Sequence, residues 1–82
     1  SVAGIRPGAL GFHSVVIEPQ PGSLPAFEAS MPHPSGDIEV SMTREGSSRR
    51  FTIKLPAGLG GSFIWNRAPT PLQPGNQVLT VW

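Results

Sequence analysis

The stretch "GDIEVSMTREGSSRRFTIKLP", residues 36–56, decides the fold. Ile38, Val40 and Met42 alternate with Asp37, Glu39, Ser41 and Thr43. Phe51, Ile53 and Leu55 alternate in turn with Arg50, Thr52 and Lys54. Successive side chains of a strand point to opposite faces, so each run reads as a half-buried strand with one wet face. Gly46-Ser47-Ser48 between them is a short turn, and the two runs read as an antiparallel hairpin. On the wet face Glu and Thr then stand across from Arg and Lys, each good pair adding roughly a few tenths of a kcal/mol.

The same reading extends in both directions. "FHSVVIEP" (12–19) is a more buried strand, and "PAFEASMP" (25–32) alternates Phe27, Ala29 and Met31 with Glu28 and Ser30. "GSFIWN" (61–66) and "QVLTVW" (77–82) are apolar on both faces or lie at an edge. Pro21-Gly22, Pro34-Ser35-Gly36, Gly58 with Gly60-Gly61, and Pro74-Gly75 separate them as turns. No stretch after residue 6 has helical periodicity. About six short strands with turn signals between them predict a small antiparallel β-sandwich of immunoglobulin-like or Greek-key type.

Composition narrows the function classes. The chain has 82 residues, enough for one domain with a modest core. It has no Cys, hence no disulfide and no thiolate metal site, and two His alone make a poor structural zinc site. A net charge of +1 is too balanced for a nucleic-acid footprint. No apolar run approaches the roughly 18 residues of a membrane span. No cofactor is expected, since Gly58, Gly60 and Gly61 precede neither a Lys-Ser/Thr pair nor a helix. The start at Ser1 reads as a processed product or a fragment.

Candidate chemistry is sparse. A glycosidase needs two carboxyl groups about 5–9.5 Å apart across one bond, but Glu28, Asp37, Glu39 and Glu18 read as the wet sides of strands and Glu45 as a turn entry. No Gly-x-Ser-x-Gly elbow frames Ser14 or Ser30 for work with His13 or His33. His33, between two prolines, reads as an exposed turn residue, and His13 as an interface or half-buried one. Trp65 and Trp82 are candidate sugar-stacking platforms, set against core or inter-domain packing as the alternative. Arg6 is placed to pin its segment to a neighbouring carboxylate or carbonyl. "SVAGI" reads either as the last turn of a helix closed by Gly4 and Pro7 or as a loose terminus.

Residues 3–42, "AGIRPGALGFHSVVIEPQPGSLPAFEASMPHPSGDIEVSM", resemble the start of the C-terminal β-sandwich domain of family 78 α-L-rhamnosidases. The matching positions are Ala3, Gly4, Ile5, Arg6, Pro7, Gly11, Phe12, Ile17, Pro19, Pro21, Gly22, Pro34, Gly36 and Ile38. "FTIKLPAGLGGSFIW" and "LQPGNQVLTVW" fit the later strands of that pattern. The chain departs from it at Leu10, where the family often has Pro, at Pro25-Ala26-Phe27 and Met42, where it commonly has Trp, and at Ser35, where a Tyr or similar residue is usual. The resemblance implies a non-catalytic domain that packs against an upstream (α/α)6 barrel of the same polypeptide. That barrel would carry the acids that hydrolyse terminal α-L-rhamnose with inversion, so no catalytic residue is assigned here. It further implies that residues 1–11 are a linker and the end of the last barrel helix, with the sandwich over 12–82. Ile5, Arg6, Pro7, Phe12 and His13 become candidates for the inter-domain contact. A secreted parent is the expectation from the family. The rival expectations are a carbohydrate-binding module that stacks rhamnosylated sugars on Trp65 or Trp82, and an immunoglobulin-like interaction domain.

Overall fold

The computed structural model describes residues 4–8 and 14–82. Eight strands form among them: β1 (Ile5–Pro7), β2 (Ser14–Ile17), β3 (Ala26–Met31), β4 (Ile38–Glu45), β5 (Ser48–Leu55), β6 (Gly60–Trp65), β7 (Ala68–Leu72) and β8 (Gly75–Val81). They make two four-stranded sheets, ordered β1-β2-β6-β7 and β3-β4-β5-β8. The expected sandwich is therefore present, and no helix occurs among the described residues.

The hairpin read from residues 36–56 is β4 and β5, with Val40 opposite Ile53 and Met42 opposite Phe51. Their inward residues Ile38, Val40, Met42, Phe51, Ile53 and Leu55 are at most 2% exposed. From the other sheet come Val15, Ile17, Phe63 and Leu72, and Leu59 enters from the loop before β6. Each fully buried aliphatic or aromatic side chain stabilises by about 1.5–3 kcal/mol, which is the main resource of so short a chain. At the centre, Phe51 lies between the rings of Phe63 (centroids 5.0 Å), Trp65 (5.5 Å) and Phe27 (6.2 Å, edge-on).

The structure corrects the sequence reading in three places. Residues 5–7, expected as linker or helix tail, form β1 and pair antiparallel with β2, Ile5 opposite Ile17. Gly4 allows this entry. Its φ is +59°, and a Cβ there would stand 2.0 Å from the Glu18 carbonyl oxygen. A positive φ suits both a helix cap and this close approach, so the sequence signal was ambiguous. The second correction is β7, "APTPL", hidden from sequence reading by Pro69 and Pro71. Both prolines fall on alternate residues of an edge strand, where the missing N–H groups face away from the ladder. The two-residue loop before it, Asn66-Arg67, has φ of 50° and 67°, the handedness that matches the twist of a tight hairpin.

The third correction concerns direction. Five of the described strand pairs are antiparallel, but β2 and β6 run parallel, Ser14 opposite Gly60 and Ile17 opposite Phe63. A parallel pair needs a long crossover, and here β3, β4 and β5 supply it by passing through the opposite sheet. Phe12 and His13 lie outside the described residues, as do residues 1–3, where a preceding helix was placed.

Candidate functional site

The outer faces of the two sheets differ in chemistry. On the β3-β4-β5-β8 sheet the register aligns cross-strand rows of outward residues. One is Ala26, Thr43, Arg50 and Thr80; the next is Glu28, Ser41, Thr52 and Val78; the third is Ser30, Glu39, Lys54 and Asn76. All of the last two rows but Val78 line an open groove of about 520 Å³. Lys54 Nζ lies 3.8 Å from Glu39 Oε2, and Arg50 Nη2 lies 3.0 and 2.9 Å from the two Glu45 carboxylate oxygens. Glu28, Asp37 and Glu39, read as wet sides of strands, and Glu45, read as a turn entry, are exposed, while Glu18, also read as a wet side, is half-buried. Each of Glu18, Glu39 and Glu45 faces a cation rather than another carboxylate. Among the described residues no three His, Asp or Glu side chains gather where a metal ion could sit.

On the β1-β2-β6-β7 sheet the outward positions are Arg6, Ser14, Val16, Gly60, Ser62, Ile64, Pro69 and Pro71. Arg6 donates from Nη2 to Glu18 Oε1 at 3.0 Å, so its expected carboxylate partner is Glu18, on the flank of the same sheet. Ile5 points the other way and packs on the margin of the core. Pro7 is exposed. Of the residues expected at an inter-domain contact, then, the structure places Arg6 and Pro7 at the surface and gives Ile5 to the sandwich itself.

The two tryptophans meet at one end of the sandwich. Trp65 is half-buried and its indole Nε1 donates to the Trp82 carbonyl at 3.4 Å. Its ring packs against Phe51, while the Arg49 guanidinium stands 5.5 Å from the ring centroid. Such a cation over an indole contributes about 0.5–1 kcal/mol when partly exposed. Trp82 is 79% exposed. The Trp82 ring is thus open to solvent, whereas Trp65 is covered by its neighbours.

Arg49 was not singled out from the sequence. It has the parity of Phe51, Ile53 and Leu55, so it projects inward at the open end of the core. There it donates from Nη2 to the Gly22 carbonyl at 2.8 Å, and its buried Nε has no hydrogen-bond partner among the described residues. Extending the period-2 pattern by one step finds it. His33 stands just before the turn at 34–35 and is half-buried rather than exposed as read: its Nδ1 accepts from the Ser35 N–H at 3.0 Å, and its carbonyl accepts from the Gly36 N–H at 2.9 Å. Gln77 braces the entry to β8, with its amide bonded to both backbone groups of Gln73.

Comparison with known proteins adds the following. A family model described as the bacterial α-L-rhamnosidase C-terminal domain matches residues 4–68. An α-L-rhamnosidase from Alteromonas sp. (strain LOR) is 34% identical over 64 residues, which are 77% of this chain and 7% of that protein. The crystal structure of Streptomyces avermitilis α-L-rhamnosidase complexed with L-rhamnose superposes on 99% of this chain with a TM-score of 0.84 at 20% identity, using 10% of its own length. The α-L-rhamnosidase of Dictyoglumus thermophilum does so on 96% with a TM-score of 0.80 at 17% identity, using 12% of its length. The chain thus spans between 7% and 12% of the length of these relatives.

Proposed function

The chain belongs to the bacterial α-L-rhamnosidase C-terminal domain family, and from that membership we propose that it is a non-catalytic accessory domain of an α-L-rhamnosidase-type glycoside hydrolase. Its work is to pack against an (α/α)6 catalytic barrel of the same polypeptide and stabilise it. The parent enzyme hydrolyses terminal α-L-rhamnose from glycosides with acids that lie outside these residues. The observation that carries this reading is the family match over residues 4–68, set beside a relative of which the chain spans 7%. The disposition of the acids supports it, since Glu18, Glu39 and Glu45 are spread over the surface in cation pairs. A small sandwich without disulfides gains stability from a large neighbour, and so does that neighbour. In this reading the domain proper begins at Gly4 rather than Phe12, because β1 pairs inside the first sheet.

The test has two arms. Purified on its own, the chain is expected to give no turnover of an aryl α-L-rhamnoside. Deleting it from the parent enzyme is expected to lower the melting temperature while the active-site residues remain. Turnover by the chain alone, or a parent indifferent to the deletion, overturns the reading. A second reading, a sugar-binding module, draws on the exposure of Trp82. It predicts that rhamnose or a rhamnosylated polymer shifts the Trp fluorescence, and that Trp82→Ala removes the shift.

A further inference from the structure

We propose that the outer face of the β1-β2-β6-β7 sheet, centred on Val16, Ser62 and Ile64 and flanked by Pro69 and Pro71, is the surface that docks on the upstream part of the same polypeptide. The inference rests on the accessory-domain reading and adds which side of the sandwich is covered.

Three observations carry it. The first is the pattern of the central strands. β2 is "SVVI" and β6 ends "FIW", so Val16 and Ile64 put apolar side chains outward beside Ser14 and Ser62, while Val15, Ile17 and Phe63 point inward. Strands covered on both faces read as continuous apolar runs, whereas strands with one wet face alternate. The central strands of the other sheet alternate strictly and point Glu39, Ser41, Thr43, Arg50, Thr52 and Lys54 outward. The second is charge. Five charged side chains stand outward on the β3-β4-β5-β8 sheet, namely Glu28, Glu39, Glu45, Arg50 and Lys54. The described strands of the first sheet present one, Arg6, and it is neutralised by Glu18 at 3.0 Å. Depletion of charge at the centre with charge at the margin is the composition of a protein–protein interface. The third is the point of entry. β1 is the edge strand of this sheet, and Gly4 is clamped there by the Glu18 N–H, which donates to the Gly4 carbonyl at 3.0 Å. Gly4 therefore sits at the margin of this sheet and on no strand of the charged one. Pro69 and Pro71 add apolar surface without backbone donors that would need partners.

Ser62 and Ser41 make a matched pair for the test. Both are half-buried outward serines on central strands, one on each sheet. Ser62→Cys and Ser41→Cys are made singly in the full-length enzyme, and maleimide labelling is followed by peptide mass spectrometry. The thiol introduced by Ser62→Cys is expected to react at least about tenfold more slowly than that of Ser41→Cys, because labelling must wait for the domains to part. Ile64→Lys is expected to lower the melting temperature of the full-length enzyme more than Thr52→Lys does. If the thiol at 41 is protected and that at 62 is reactive, the domain docks by its other face and the present assignment falls while the accessory reading stands. If both react freely, packing against a neighbour through either sheet fails, and both readings fall together.

Discussion

The two sheets enclose one core but are assembled differently. Three strands of the β3-β4-β5-β8 sheet follow one another in the chain and pair with their neighbours across short loops, and only β8 joins after β6 and β7. The β1-β2-β6-β7 sheet joins segments drawn from residues 5–72 around a parallel seam between β2 and β6. Closing such a seam costs more chain entropy before contacts reward it. The first kind of sheet tolerates a varied outer face, because its register is set by local alternation and turns. The second depends on fit at single positions. Gly61 shows this: a Cβ there would stand 2.0 Å from the Val15 carbonyl oxygen, across the seam.

Substitutions at matched places break or sharpen this contrast. The largest effect is expected where the two sheets share a residue. Phe51→Ala removes the ring that touches Phe27, Phe63 and Trp65 and is expected to cost about 3–5 kcal/mol. Urea denaturation followed by Trp fluorescence measures it. A loss below about 1 kcal/mol would mean that the core is not centred on Phe51.

Next comes Gly61→Ala against Gly46→Ala. The first forces a methyl into the backbone of β2 and is expected to cost about 3 kcal/mol. The second places one in open space, although at a φ of +63°, and is expected to cost about 1 kcal/mol. Equal midpoints in denaturant would remove the seam from the account of stability. Arg49→Met keeps the aliphatic stem but removes the bond to Gly22 and the cation over Trp65. A loss of about 1–2 kcal/mol is expected, with a shift in Trp emission.

The smallest effect belongs to the wet face. Glu39→Gln breaks an exposed pair at 3.8 Å and is expected to change stability by under about 0.5 kcal/mol, less still at high salt. A larger effect there, read from the same denaturation curves, would erase the distinction between a tolerant sheet and an exacting one.

The legibility of the molecule follows the same division. Alternation at Ile38, Val40, Met42, Phe51, Ile53 and Leu55 gave the hairpin, its inward face and the sandwich class. β1 and β7 were missed because Pro7, Pro69 and Pro71 normally argue against a strand, and edge position is not visible in a local pattern. Arg6 was legible as a residue in want of an acid, but Glu18 becomes its partner only once β1 lies beside β2. Trp65 and Trp82 read alike in the sequence. The fold separates them, covering one with Phe51 and Arg49 and leaving the other in solvent.

By itself the sequence determined what short-range physics controls: where strands run, which face of each is apolar, where the chain turns, and the absence of disulfide staples. Only the tertiary structure decided the parallel seam, the strand count and the contrast between the two outer faces. Those depend on which distant segments meet, and a period-2 pattern says which way a side chain points without saying what it will find there.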